Sequence, residues 1–96
     1  MSHPTHAEEW EWDEGNETEL WRHGVVPREI EEVFANGPRW ARNRRGRPAD
    51  WKMMGVTNGG RLLTVVVRYD PARRWLRPVT AWDSTTGERR RFFDAE

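Results

Sequence analysis

Cysteine is absent from this chain of 96 residues, and lysine and tyrosine each occur only once. Without cysteine there is no disulfide framework and no Cys-based zinc site. The longest apolar stretch, residues 62–67, is far shorter than the roughly 20 residues of a membrane-spanning helix. The N-terminal region carries Glu8, Glu9 and Glu11 instead of a basic segment followed by an apolar one, so no secretory signal is expected. We therefore expect a cytoplasmic protein that does not contact a membrane.

The length is that of one domain with one modest core. Residues 1–9 have little apolar content and are expected to form a disordered tail, which leaves residues 10–96 as the single domain. His3 and His6 lack a third ligand at a suitable spacing, so no metal site is expected. No cofactor is expected either.

The charges are segregated along the chain. Residues 1–32 carry ten acids and two bases, a net charge of −8, whereas residues 33–96 carry fourteen bases and six acids, a net charge of +8. A neutral total divided in this way indicates a basic surface, for which nucleic acid is the leading partner. Fifteen of the sixteen bases are arginine, whose planar fork binds phosphate through two hydrogen bonds. A GC-rich genome also favours arginine over lysine, but it does not explain the segregation.

Two short helices are predicted in the acidic half. A short edge strand around Trp10 precedes Asp13, which is placed to cap a helix that ends at Gly24. A second helix begins near Pro27 and ends before residues 36–38. Its buried face has the helical spacing i, i+3, i+4 and consists of Ile30, Val33 and Phe34.

The basic half is predicted to form strands. Residues 51–57, 62–69 and 75–82 are the strand segments, with a hairpin turn at 58–60 and with Pro78 tolerated only at a bulge or an unpaired N–H. Residues 62–69 form the central strand, with one face expected to be covered by helices and the other partly open. The arginine-rich segment 39–48 is interpreted as a mobile loop. Thr85 and Glu88 form a capping-box pair that begins a short C-terminal helix.

This order predicts an α+β fold, in which two N-terminal helices pack on a small antiparallel sheet of three to four strands and a short helix ends the chain.

An ordered set of short motifs resembles the BrnT family. The motifs are Trp12-Asp13-Glu14, His23-Gly24-Val25, Gly55 followed by Gly60-Arg61-Leu62-Leu63, Arg77 with Thr80-Ala81, and Glu88-Arg89. They extend from about Trp10 to Phe93, which is nearly the whole chain. BrnT proteins are toxins of type II toxin–antitoxin systems with a RelE-like fold.

The resemblance implies a small ribonuclease that cleaves RNA without a metal, inhibits translation and arrests growth. It also implies a ribbon-helix-helix, BrnA-like antitoxin as a partner, a toxin homodimer bridged by that antitoxin, and operator DNA bound only through the antitoxin. Two positions depart from the family pattern. Trp82 stands where the family usually has an arginine, and Lys52 stands where it usually has an aliphatic residue. The first change removes a cation and the second adds one.

Metal-free RNA cleavage needs a base for the 2′-hydroxyl, an acid for the leaving 5′-oxygen and cations around the phosphorane. RelE-like enzymes are similar in their reliance on Lys, Arg and Tyr or Glu. The strand arginines are placed to converge on one phosphate, and a histidine near neutrality supplies acid–base chemistry. The candidate catalytic residues are Arg61, Arg77, Arg68, His23, Lys52 and Glu88.

Each candidate also has a structural interpretation. Strand arginines can project to solvent or pair with carboxylates, and Lys52 can protect an edge strand from aggregation. His23 precedes Gly24 and can cap a helix C-terminus. For Glu88 the structural interpretation is that it caps the C-terminal helix together with Thr85 and has no catalytic role.

Seven tryptophans exceed what a core of this size needs. Aromatic rings interleaved with arginine bind single-stranded RNA through base stacking and phosphate contacts. The RNA-binding candidates are Arg42, Arg44, Arg45, Arg47, Trp51 and Trp82. An aromatic surface for the antitoxin is the alternative use of these rings. Because Trp82 replaces an arginine, the alternative function is a non-catalytic RelE-fold module that binds RNA or protein.

Overall fold

Eight helices and strands follow one another in the computed structural model, which describes residues 2–44 and 50–92. Within these ranges no helix is long and apolar enough to cross a membrane. The chain is α+β. In chain order the elements are β1 (Glu9–Trp10), α1 (Glu14–Arg22), α2 (Pro27–Ala35), β2 (Arg39–Arg42), β3 (Asp50–Val56), β4 (Leu62–Asp70), β5 (Trp75–Asp83) and α3 (Thr86–Phe92).

The strands form one sheet in the order β1-β5-β4-β3-β2, so β4 is central as the sequence predicts. Four strands are antiparallel, but β1 runs parallel to β5 through Glu9↔Trp75 and Trp10↔Leu76. The sheet is therefore five-stranded and mixed, which corrects the expectation of a purely antiparallel sheet of three to four strands. The parallel pairing joins residues 66 apart in sequence, and no local pattern reveals such a partner.

The arginine-rich segment after α2 begins with a strand instead of a loop. Residues Arg39–Arg42 form β2, which pairs with β3 from Arg39↔Met54 to Arg42↔Trp51. Trp40 packs against the core cluster and Ala41 is half-buried, whereas Arg39 and Arg42 are exposed. Pairing with β3 and the packing of Trp40 thus outweigh the charge density that predicts a loop. The rest of the predicted loop, residues 45–48, lies outside the described residues.

Residues 2–9 pack on the domain, whereas the sequence suggests a disordered tail. Pro4–His6 form one 3₁₀ turn, and Pro4 is buried. The His3 ring lies edge-on to Trp40 and Trp51, with centroid separations of 5.6 and 4.9 Å. The Ser2 hydroxyl forms a hydrogen bond with the hydroxyl of Tyr69. Aromatic contacts that are distant in sequence therefore order a segment with little apolar content of its own.

One face of the sheet, here called the inner face, packs against α1 and α2. The predicted alternation along β4 is confirmed, because Leu63, Val65, Val67 and Tyr69 all point into this core. Burial of side chains like these supplies most of the folding free energy at roughly 25 cal/mol per Å². The helices contribute Leu20, Val25, Ile30 and Val33 to the same cluster.

The opposite, outer face is more covered than the sequence predicts. Met54 and Thr64 are fully buried and Val66 is 5% exposed. Helix α3 lies against this face at Thr64, because the Glu88 carboxylate accepts a hydrogen bond from that hydroxyl at 3.1 Å. By the strand register the outer face consists of Arg39 and Ala41, Asp50, Lys52 and Met54, Thr64, Val66 and Arg68, and Arg77, Thr80 and Trp82.

Pro78 lies at a bulge in β5, as the sequence predicts. Val66 pairs with Thr80 and Val67 pairs with Pro78, so one extra residue is accommodated in β5. The Pro78 carbonyl accepts a hydrogen bond from the buried Asn16 side chain of α1 at 3.0 Å. The bulge therefore coincides with the point where α1 is attached to the sheet.

Gly55 in β3 lies where α2 and the turn after it pack closely on the inner face. A methyl group there would lie 3.1 Å from Val33 Cγ1 and 3.3 Å from the Pro38 backbone. We expect Gly55→Ala to lower the free energy of unfolding by about 1–3 kcal/mol through overpacking, measured by urea denaturation. The matched control is Gly59→Ala, where the nearest atom is 3.8 Å away. Equal stability of the two variants would contradict this packing.

Candidate functional site

Arg77, a candidate catalytic residue, is bound to the acidic N-terminal segment. Its Nη1 donates to Asp13 Oδ2 at 2.7 Å and to Glu11 Oε1 at 3.2 Å, and its Nη2 donates to Asp13 Oδ1 at 3.2 Å. The hydrogen bonds from Arg77 hold the pKa of Asp13 below its ordinary value, and the same contacts raise the pKa of Arg77. Because Asp13 also caps α1, Arg77 fixes the start of that helix against β5.

Arg61, a second candidate catalytic residue, binds the chain just after the C-terminal end of α1. Its Nε donates to Asp83 Oδ1 at 2.7 Å and its Nη2 to Asp83 Oδ2 at 3.2 Å, a bidentate pair. Its Nη1 donates to the Gly24 carbonyl at 2.8 Å and lies 3.3 Å from the Glu29 carboxylate. The hydrogen bond with Asp83 raises the pKa of Arg61 and lowers that of Asp83. Arg61 thus joins α1, α2 and β5.

Arg68 and Arg77 are brought together, but Arg61 is not. Arg68 lies directly opposite Arg77 on β4 and β5. Its Nε donates to the buried carboxylate of Asp50 at 3.1 Å. Arg61 precedes Arg68 by seven residues, which is roughly 23 Å along an extended strand. The three arginines therefore do not converge on one phosphate.

A different set of cations lies together on the outer face. Lys52 is directly opposite Ala41 and Val66, so Arg39 on β2 and Arg68 on β4 are its diagonal neighbours. Diagonal neighbours are roughly 7–8 Å apart, within reach of long side chains. Lys52 is half-buried and has no hydrogen-bond or ion-pair partner within residues 2–44 and 50–92. We call Arg39, Lys52 and Arg68 the outer-face cation cluster.

Arg39 is the member of this cluster that the sequence reasoning missed. The arginine content of its segment predicts a loop, whereas Arg39–Arg42 form a strand. The signal that identifies it is the alternation in residues 39–42, where Trp40 is directed to the core and Arg39 to the opposite face. Only the pairing of β2 with β3 places Arg39 next to Lys52.

Glu88 and Trp82 lie on the outer face near the start of α3. The Trp82 indole N–H donates to Glu88 Oε1 at 3.0 Å, and the backbone N–H of Thr85 donates to the same oxygen at 2.8 Å. The Glu88 N–H donates in turn to the Thr85 hydroxyl, which completes the predicted capping box. Burial raises the pKa of Glu88, but the hydrogen bonds from Thr85, Trp82 and Thr64 outweigh it and the pKa lies below its ordinary value. Such a carboxylate is a weak base.

His23 lies at the C-terminal end of α1 and is exposed. Its backbone N–H caps the helix by donating to the Leu20 carbonyl, and its Nε2 lies 3.2 Å from Glu19 Oε2. The same carboxylate oxygen accepts a hydrogen bond from Thr80 at 2.9 Å, which is the main reason that the pKa of Glu19 is lowered. Thr80 is an outer-face residue, so Glu19 connects His23 to the edge of that face.

The RNA-binding candidates do not form one surface. Arg42 stacks over the Trp51 ring at 4.1 Å, and Trp51 packs against the core cluster of the inner face. Trp82 lies on the outer face, on the other side of the sheet. Arg44 is exposed in a turn after β2. Arg45 and Arg47 lie outside the described residues.

Among the residues that the structure describes, no group of three or more His, Cys, Asp or Glu side chains is arranged to hold a metal ion. No protein-family model matches this chain, and no curated protein matches it significantly in sequence. The resemblance to BrnT toxins therefore stays a prediction.

The carboxylates of Asp13, Glu19, Asp83 and Glu88 make the stability of the fold sensitive to acid. Each carboxyl has a lowered pKa in the folded chain. Its contribution to the free energy of unfolding is therefore complete above the ordinary carboxyl pKa range and is lost as the pH falls through the pKa of the folded state. We expect the urea midpoint to be constant from pH 7 to roughly pH 5 and to decrease below roughly pH 4.5.

The pair of Asp13 and Arg77 provides a specific check. Asp13→Asn should be less stable than the unmodified chain at pH 7, and the difference should shrink as the pH falls through the lowered pKa of the folded Asp13 carboxyl. Glu9→Gln is the matched control, because the Glu9 side chain is exposed and makes no hydrogen bond or ion pair within the described ranges. A stability difference for Asp13→Asn that is independent of pH would show that this ion pair does not contribute.

Proposed function

We propose that the outer-face cation cluster binds an RNA phosphate and that this chain is a metal-independent ribonuclease toxin of the BrnT type, with a RelE-like fold. The observation that carries the proposal is Lys52. It is a half-buried cation without a partner in the described chain, set between Arg39 and Arg68. A cation that is partly removed from water and unpaired costs free energy, and an anionic ligand recovers that cost.

The surroundings of the cluster favour phosphate binding. Met54 and Val66 are buried beside Lys52 and provide an apolar floor, which strengthens electrostatic interactions above it. In RNA cleavage the 2′-oxygen forms a bond to phosphorus while the bond from phosphorus to the 5′-oxygen breaks, and negative charge accumulates on the phosphorane oxygens. Lys52 places an unpaired positive charge beside that phosphorus, and Arg39 and Arg68 add hydrogen-bond donors, although Arg68 already donates to Asp50. These contributions lower the barrier without a metal.

Two groups are assigned to proton transfer as hypotheses. His23 is a candidate base for the 2′-hydroxyl because of its residue type, but its contact, Glu19, reaches only Thr80, which is two strands away from Lys52. Glu88 is the weaker candidate, since its oxygen already accepts several hydrogen bonds and its pKa is lowered. Trp82 is on the same face and is available for stacking with a base next to the scissile phosphate.

The partners of the proposed toxin follow from the resemblance. A ribbon-helix-helix antitoxin would block the RNA site, bridge a toxin homodimer and bind operator DNA, while the toxin itself acts on RNA in the cytoplasm to inhibit translation. The neutral total charge of the chain is compatible with this role, because RNA binding depends on the local cation cluster.

A non-catalytic binding module is the second candidate function, and one observation favours it. Arg61 and Arg77, the two strand arginines matched to family motifs, are both engaged by carboxylates in the folded chain. Their charge is therefore neutralised before any RNA binds. As a non-catalytic module, the chain would bind RNA on the outer face without cleaving it.

Expression of the chain alone tests the toxin function. We expect induction to arrest growth and degrade RNA, and we expect Lys52→Met to slow RNA cleavage by the purified protein by roughly 10²-fold. Methionine keeps the aliphatic stem of the lysine, so the fold is retained.

The control variant is Arg28→Met, which removes an exposed cation of α2 that pairs with Glu32. It should remain fully toxic. Normal growth at high levels of folded protein would contradict the toxin function, and RNA binding without cleavage would select the non-catalytic module.

Salt dependence tests the phosphate contacts separately from cleavage. Three contacts to single-stranded RNA predict that log K falls with log salt concentration with a slope of roughly −2. Fluorescence anisotropy with a labelled oligonucleotide measures this slope, and Lys52→Met should make it shallower by roughly 0.7. Affinity that does not change between low and moderate salt would exclude a phosphate-binding face.

A further inference from the structure

Trp21 on α1 is the most exposed large apolar side chain of the described chain, with 70% of its surface accessible. The other six tryptophans are half-buried. Trp10, Trp12, Trp40 and Trp51 contact other aromatic rings, and the indole N–H of Trp82 donates to Glu88. An exposed indole with no such contact is typical of an interface position.

A shallow groove of about 540 Å³ lies beside Trp21. Its other wall is formed by Val26 and Pro27, where α2 begins, and Val25 forms part of its floor. Glu14 and Glu17 line it as well, because residues 14, 17, 18 and 21 occupy one stripe of α1. The groove therefore combines an apolar surface with two carboxylates.

These two carboxylates are unusual among the acids of the chain. Within residues 2–44 and 50–92, Glu9, Glu14 and Glu17 are the acids whose side chains make no hydrogen bond or ion pair, whereas the others have partners. Two of the three lie in the Trp21 groove. Their negative charge has no cationic side chain as a partner in the described fold, so a cation from another molecule is the complementary group.

The chain itself indicates which cation fits a tryptophan of this kind. Arg42 lies over the Trp51 ring at 4.1 Å from its centroid, and Arg73 lies over the Trp75 ring at 4.8 Å. A guanidinium stacks on an indole and can donate hydrogen bonds to a carboxylate at the same time. Glu17, one turn before Trp21 on the same stripe, is placed to accept them.

We propose that the groove beside Trp21 docks an arginine-bearing apolar segment of a partner protein. The guanidinium stacks on Trp21 and pairs with Glu17 and Glu14, while neighbouring aliphatic side chains of the segment contact Val26 and Pro27. The groove lies on α1 and the start of α2, and none of its lining residues belongs to the outer face. The inference does not depend on the proposed ribonuclease function.

A peptide titration tests this inference. The probe is a blocked peptide, Gly-Ser-Leu-Arg-Leu-Leu-Arg-Ser-Gly, and its matched control replaces both arginines by citrulline, which is neutral and nearly the same shape. Binding is followed by NMR through the indole N–H resonance of Trp21, assigned by its loss in Trp21→Phe. We expect the arginine peptide to shift this resonance and the citrulline peptide to bind at least roughly tenfold more weakly.

Variants of the groove give the second measurement. Trp21→Ala should weaken binding of the arginine peptide by roughly tenfold or more, and the double change Glu14→Gln with Glu17→Gln by roughly three- to fivefold. Glu9→Gln removes an equally unpaired carboxylate that does not line the groove, and it should leave the affinity unchanged. Because Trp21 is exposed, the variants are expected to fold, which their thermal melting checks.

Three results would overturn the proposal. Equal binding of the two peptides would mean that the groove recognises apolar surface alone. No shift of the Trp21 resonance with the arginine peptide would mean that the groove is not a site for this chemistry. A shift of the same resonance on dilution of the protein without peptide would assign the groove to a second copy of the chain.

Discussion

The ion pairs between the acidic N-terminal segment and the arginines of the sheet are the constraint on which the remaining architecture depends. Arg77 joins β5 to Asp13 at the beginning of α1, and Arg61 joins β5 to the carbonyl of Gly24 after its end. A single exposed ion pair contributes little, but bidentate pairs to a half-buried arginine that also caps a helix contribute more. With both ends held, α1 directs Leu20 into the core.

These pairs account for part of the segregation of charge along the sequence. Among the described residues, Glu8, Glu11, Asp13 and Glu29 of the first third pair with Arg74, Arg77 and Arg61 of the remaining chain. Three of the later bases therefore carry a charge that the acidic segment already neutralises. The two surfaces that we propose to bind ligands both hold side chains that intramolecular pairing leaves without a partner in the described chain: Lys52 on the outer face, and Glu14 and Glu17 beside Trp21.

The sequence predicted those elements whose signal is local. The alternation along β4 follows from side-chain periodicity. The bulge at Pro78 follows from the N–H that proline lacks, and the capping box of α3 follows from the three-residue spacing of Thr85 and Glu88. The parallel pairing of β1, the strand character of β2 and the packing of His3 on two tryptophans depend on contacts distant in sequence. For the same reason the sequence could identify Arg61 and Arg77 as notable residues but not their partners.

The position of β1 at the edge of the sheet also affects how the chain folds. Glu9 pairs with Trp75, Asp13 pairs with Arg77, and Ser2 reaches Tyr69, so each of these contacts joins residues more than 60 positions apart. The entropy of closing so long a loop has to be overcome before these contacts form, which is typical of slow-folding topologies. The β3–β4 pairing, closed by a short turn, needs no such loop closure.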